Sequence, residues 1–294
     1  MQKIEFIKKS GANVNDFTSW LEQFEGDVSD NSVLLEINPA AKCFCAKVFT
    51  QDQALVRRGE ISFEMAGLEA VIPDGLTDIV YAGILKIFSK FVAVFKAFAT
   101  ADEFTMTFNF GPGQDSQGNE MLQTDNVRFR SKSLRMKMKC FLISEFIVIS
   151  DDKFKNGVWP NPDPVSVTVS SDVVKNILAF SEIFKQTQST ENLLFFYSKT
   201  EDGKRVMYVK DKKNTFDYLV GEIETELTDW QDIIVPVMRD KFILCFKTTG
   251  MNPAVLTMSV TDPMKLCVET IGTGTQSVIA KVDNIAPDQD DYEI

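Results

Sequence analysis

Between Asn126 and Cys140 the chain reads NVRFRSKSLRMKMKC, in which Arg128, Arg130, Lys132, Arg135, Lys137 and Lys139 fall within twelve positions that hold no acid. Guanidinium and ammonium groups at that density can hold phosphates or carboxylates through charge-assisted hydrogen bonds. The 294-residue chain has 42 Asp and Glu against 31 Lys and Arg and a formal net charge of −11, so the ribbon runs against its own background. Three readings of it stand side by side: a solvated or protected edge strand, a subunit interface, and direct contact with DNA. Charged edges block stray strand pairing. An acidic stretch such as GEIETE (221–226) is a candidate counterpart at an interface.

Little else in the sequence could do chemistry. The chain contains no histidine, which removes Ser-His-Asp and Cys-His nucleophile activation and every histidine-ligated metal site. Its five cysteines (Cys43, Cys45, Cys140, Cys245, Cys267) are scattered among apolar neighbours and read as reduced core thiols of a cytosolic protein. GTGT at 272–275 lies between two strand-like runs with no helix behind it, so it reads as a hairpin turn, not a phosphate loop. The expectation is a protein that is not an enzyme and holds neither cofactor nor metal. The start shows no sustained apolar stretch, and the longest apolar run, GILKIFSKFVAVFKAF, is broken by Lys86, Lys90 and Lys96. Neither a secretory signal nor a membrane span is expected, which places the chain in a cytoplasm, that of the host if the protein is viral.

The elements that position these residues come in a repeated order. KIEFIKK reads as a strand and NDFTSWLEQFE as a helix, with Phe17, Trp20, Leu21 and Phe24 on one face and Asn15 or Asp16 as its cap. Three strand-like runs follow, SVLLEIN, KCFCAKVFT and ALVRRGEISFEMA. DIVYAG and a second helix over 84–98 come next, then EFTMTFNF, NVRFRS, LRMKMKCF and a possible further strand EFIVIS. DDKFKNGVWPNPDP (151–164) reads as an interdomain linker. The order then repeats. PVSVTV leads into a helix capped by Ser171 or Asp172, followed by NLLFFYSK, KRVMYVK and FDYLVGEIE; DIIVPV, a helix over 238–249, AVLTMSV, KLCVETI and SVIAKV complete it. The domains are thus 1–150 and 165–294, the second with an acidic tail. Four helices against some sixteen strands predict an α+β layer design with two similar domains, each packing two helices on antiparallel sheets whose other faces meet solvent.

This order resembles that of DNA polymerase sliding clamps, and in particular the two-domain clamps of tailed phages related to proliferating cell nuclear antigen. The likeness is closest over 165–282, through VSSDVVKNILAFSEIF and DIIVPVMRDKF. It implies the DNA-clamp fold, a homotrimeric ring of six domains with twelve helices around a central hole, and a processivity factor that encircles double-stranded DNA and tethers a replicative polymerase. An ATP-driven clamp loader is a further implied partner. It also implies a pocket for partner peptides near the linker and tail, at Val158, Trp159, Ile285, Ala286 and Pro287. A β-rich viral structural or assembly protein, and a monomeric clamp-fold processivity factor, are the alternatives.

The residues themselves bear on the tunnel. At 100° per residue Lys86, Ser89, Lys90, Ala93, Lys96 and Ala97 share an arc of about 120°, opposite Phe88, Phe91, Val92, Phe95 and Phe98. An acid-free helix face of sparse lysines suits sequence-blind contact with phosphates. Lys175 and Lys185 on the third helix, and Arg239, Lys241 and Lys247 on the fourth, complete the candidate DNA-binding set; the first helix offers no base. On the ribbon, Arg128 and Arg130 share one strand face and Arg135, Lys137 and Lys139 another, with Met136 and Met138 directed to a core or an interface.

Overall fold

The computed structural model describes residues 2–24, 31–50, 54–84, 88–146, 148, 154, 164–183, 192–224, 232–246, 252–259, 265–272 and 274–282. The chain divides into two compact units, residues 1–51 with 57–149 and residues 52–56 with 150–294. In the first, β1 (Gln2–Lys8) leads into α1 (Asn15–Glu22), β2 (Asn31–Asn38), β3 (Cys43–Thr50) and β4 (Leu55–Ser62), and a short β5 (Glu69–Val71) follows. A second round comprises β6 (Val80–Gly83), α2 (Phe88–Ala99), β7 (Phe104–Gln114), β8 (Glu120–Ser131) and β9 (Arg135–Lys139). The second unit runs β10 (Pro164–Val169), α3 (Ser171–Ile183), β11 (Leu193–Glu201), β12 (Lys204–Asp211) and β13 (Asp217–Glu222). It continues with β14 (Ile234–Met238), α4 (Arg239–Phe246), β15 (Ala254–Ser259), β16 (Lys265–Thr270) and β17 (Thr275–Ala280).

Each unit is two copies of a strand–helix–three-strand repeat, and the copies exchange their first strands. In the first unit β1 leaves its own repeat to pair antiparallel with β7, while β6 pairs antiparallel with β2. In the second, β10 pairs with β15 and β14 with β11 in the same way. The helices lie over one face of these strands. Phe17 of α1 meets Phe95 of α2 edge-on at 4.9 Å, and Phe91 and Phe98 of α2 both contact Phe129 of β8. In the second unit Val174 and Ile177 of α3 and Phe242, Cys245 and Phe246 of α4 share a buried cluster with Val167, Phe196 and Leu256. All five cysteines are buried and unbridged, and burial lifts the thiols of Cys140 and Cys267 to about 12.

Local sequence explains the turns. Asp202 and Gly203 both take positive φ (49° and 78°), the primed geometry that joins β11 to β12 across two residues. Gly272 and Gly274, at φ of 94° and 62°, lie between the paired strands β16 and β17, so the described glycines of GTGT sit in a hairpin connection as its flanks suggest.

Several expectations are corrected. Val14 precedes α1 and makes no side-chain cap; the Asn13 side-chain oxygen instead accepts from the Asn15 N–H at 2.9 Å. Ser170 occupies the position before α3, its hydroxyl accepting from Val173 N–H at 3.4 Å. Of EFIVIS (145–150), the described residues Glu145, Phe146 and Val148 lie in no strand and 147, 149 and 150 lie outside the described residues: Ile143–Glu145 form a 3-10 turn, and Ile143 and Phe146 cover Leu34 on the face of β2 turned away from the helices. That covering overturns the expectation of a solvated outer face there. On the same side of β2 and β3 a Lys47–Glu36 ion pair, at 2.9 Å, is buried.

Candidate nucleic-acid interface

The helix face comes out of α2 as the periodicity predicts. Phe88, Phe91, Val92, Phe95 and Phe98 are buried, while Lys90, Ala93, Lys96 and Ala97 are exposed. Lys86 lies outside the described residues. Lys96 pairs with Glu22 of α1, so one of the two described lysines on this face ties the helices together. On α3, Lys175 is exposed and pairs with Asp172 at 3.2 Å; Lys185 lies outside the described residues, as does Lys247 beyond α4.

Arg239 departs from its expected role. Its side chain is only 4% exposed, and its guanidinium donates to Glu182 of α3 and, at 3.3 Å, to Asp240. It therefore joins α3 to α4, as Lys96 and Glu22 join α2 to α1, and does not face outward. The register explains why: β14 feeds directly into α4, and Arg239 N–H donates to Asn192 carbonyl at 3.0 Å, which fixes the first helical residue against the sheet. Lys241 is half-buried. Among the described residues the four helices expose about as many acids as bases, with Asp16 and Glu22 on α1, Asp172 and Glu182 on α3, and Asp240 on α4.

The strongest concentration of positive charge is elsewhere. β8 and β9 pair antiparallel with Arg128 opposite Lys137, Arg130 opposite Arg135 and Asn126 opposite Lys139. Directly opposed residues project from the same side of a sheet, so the two sets expected on different faces merge into one. Phe129, between the two arginines, is buried against α2, which fixes that side as the one turned away from the helices. Met138 packs against the core from the helix side; Met136, on the same side, is 43% exposed. Lys132 is exposed in the turn that joins the strands. Lys3 and Glu5 of β1, an ion pair at 3.0 Å, and Thr105, Thr107 and Asn109 of β7 extend the polar face into an open trough of about 560 Å³. Sequence reasoning missed these neighbours. Their alternation in KIEF and EFTMTFNF marks them as outward-facing, but only the β1–β7–β8 register brings them beside the arginines.

Among the described residues β9 pairs with β8 alone, leaving its outer edge open. β13 likewise closes the sheet β13–β12–β11–β14 and pairs along its length only with β12, apart from a Ser166–Glu224 bridge beyond its end. Of the acids proposed to face the ribbon, Glu222 pairs with Lys204 at 2.9 Å, Glu224 is exposed, and 225–226 lie outside the described residues. Val158, Trp159, Ile285, Ala286 and Pro287 also lie outside them. No group of three or more Cys, Asp and Glu among the described residues could hold a metal ion, and no described helix is long and apolar enough to cross a membrane.

Neither a protein-family model nor a curated sequence matches the chain. Solved structures do. The chain is similar to PCNA from Thermococcus kodakaraensis over 95% of its own length and 100% of the other, at 11% identity and a TM-score of 0.58. It is similar to the DNA polymerase III subunit beta of Borrelia burgdorferi over 97% of its length and 66% of that chain, at 15% identity and a TM-score of 0.58. The C. crescentus beta sliding clamp gives 97% and 66%, with 12% identity and a TM-score of 0.62. The chain thus spans about two thirds of the bacterial subunits and the whole of the archaeal protein. At these identities the likeness establishes the fold: an α+β DNA-clamp fold, built here from four strand–helix–three-strand repeats.

Proposed function

We propose that the protein is a sliding clamp: a non-enzymatic homotrimer that encircles duplex DNA with its helices inward and tethers a DNA polymerase after a loader has opened the ring. One observation carries this reading, the correspondence of all four repeats with the full length of a PCNA chain. Three chains of two units would supply six units and twelve helices. The near balance of charge on the helices fits such a device, because encirclement holds it on DNA and weak contact with phosphates leaves it free to slide. Lys90, Lys175 and Lys241 are the described residues that meet the duplex, with Lys86, Lys185 and Lys247 proposed to join them.

The ring closes in this reading by main-chain pairing between β9 of one copy and β13 of the next. Both are short antiparallel edges with an open side, and both carry an exposed apolar residue, Met136 on β9 and Leu219, 49% exposed, on β13. Open edges of this kind are templates for pairing with another chain. The test is solution mass by light scattering across a dilution series. A mass of about 99 kDa, three times 33.1 kDa, is expected, and Met136→Glu with Leu219→Glu should reduce it to that of one chain. A wild-type monomer at every concentration overturns the ring. The trimer should also be retained on closed circular DNA and run off the same DNA once it is cut.

A further inference from the structure

We propose that the trough on β1, β7, β8 and β9 is a second nucleic-acid site that holds the phosphate backbone of a single strand, on the face of the sheet opposite the helices. Arg128, Arg130, Arg135 and Lys137 line it together. Arg130 faces Arg135 and Arg128 faces Lys137 directly across the ladder, an arrangement of like charges that opposes strand pairing. Among the described residues none of the four has a carboxylate partner; the Arg128 Nε–H donates instead to the neutral Asn126 side chain at 3.2 Å. The nearby Glu5 is already taken by Lys3. Ring closure would not balance the four, since Glu222 of β13 already pairs with Lys204, which leaves Asp217 and, just beyond the strand, Glu224 against four cations. A chain with an excess of acids keeps four uncompensated cations in one concave place, and an external polyanion accounts for that.

The lining decides which polyanion. Protein partners anchor on buried aromatic and aliphatic side chains; this trough offers Thr105, Thr107, Asn109, the ion-paired Lys3 and Glu5 and the four cations, with Met136 as its one exposed apolar residue and no exposed aromatic ring. That mixture, polar and strongly positive, is the composition of nucleic-acid interfaces. From β1 to β9 the floor spans three inter-strand gaps, about 14 Å, a width for one strand lying along it. No helix or ribbon stands up from it to enter a duplex groove. With no ring to stack on bases, binding should be indifferent to sequence and steep in salt. The site is independent of the helix face and stands or falls apart from it.

The test is fluorescence anisotropy of the full chain with a labelled oligothymidylate. Four phosphate contacts give a slope of log affinity against log salt of about −2.8, a loss of about 50-fold between 50 and 200 mM salt. Arg128→Ala with Arg130→Ala, both exposed and one strand in from the open edge, should halve the slope and leave a loss of about sevenfold, with solution mass and thermal unfolding unchanged. Arg128→Lys with Arg130→Lys should retain the wild-type slope. An unchanged slope in the alanine variant overturns the proposal. So does displacement of the oligonucleotide by polyglutamate at equal charge, which would assign the trough to an acidic protein, or a short duplex that binds it more tightly than the single strand.

Discussion

Replacing Arg239 with methionine separates an architectural from a DNA-binding role for this residue. The side chain is buried, and its stem volume survives in methionine, so the packing loss is small. What disappears is two charge-assisted hydrogen bonds, to Glu182 and Asp240. A buried pair of such bonds would be worth about 1.5–3 kcal/mol each. Both carboxylates are about two-thirds exposed, however, at 65% and 67%, which screens each toward the surface-pair range of about 0–1 kcal/mol. The substitution also relieves the guanidinium Nε, which is buried without a partner. The net cost is about 1 kcal/mol, or about 3 °C in the melting temperature of a unit of this size. Thermal unfolding by circular dichroism measures it, alongside duplex affinity across a salt series at a temperature where both proteins are folded. The salt slope should be unchanged. A slope shallower by about 0.9, the value of one phosphate contact on duplex DNA, with no change in melting temperature, would show that the guanidinium leaves the α3–α4 seam for DNA and would refute the reasoning.

Other consequences can be read the same way. Lys47→Met removes the ammonium 2.9 Å from the buried Glu36 carboxylate and should cost about 1.5–3 kcal/mol in denaturant unfolding, the range for a hydrogen bond to a charged group. Phe95→Ala removes a ring packed between Phe17 and Phe104 and should cost about 3–5 kcal/mol, without altering the salt slope of duplex binding. Burial, and then the hydrogen bond to Asp217, push the Tyr197 phenol above its ordinary value. The folded state therefore holds that proton more tightly, and the stability it contributes is present below about pH 10 and lost as pH rises beyond it. Ultraviolet titration should find Tyr197 ionising late, and Asp217→Asn should bring it back toward the ordinary tyrosine range.

The sequence showed the repeat order clearly because each repeat begins with a strand of alternating pattern and a helix with a continuous apolar face. Phe17, Trp20 and Leu21 mark the first helix, and five aromatic or valine side chains mark the second. The lengths of β7 and β8 were less visible. The strand reading EFTMTFNF stops short of Gly111, yet the hairpin continues to Gln114 and resumes at Glu120. Pro112 is tolerated because β1 stops opposite Phe110, so no strand on that side needs its missing N–H. The candidate site divided along the same line. Which residues of α2 face outward followed from local periodicity, whereas the merging of five ribbon cations onto one face depended on the β8–β9 register. Arg239 misled because the helix pattern alone does not say which cation a neighbouring helix will claim.

The exchange of first strands between repeats also sets a timetable for synthesis. β1 is made at the start of the chain, but the strand that completes its ladder, β7, begins at Phe104. At about 5–20 residues per second, roughly five to twenty seconds separate the two on a ribosome. Through that interval a strand carrying Ile4 and Phe6 has only the three-residue β5 to pair with, and neither repeat of the first unit can finish without the other. The unit should therefore acquire its structure in one late step once β7 has emerged. Nascent chains stalled before that point should be open to protease along their whole length, and to capture by chaperones.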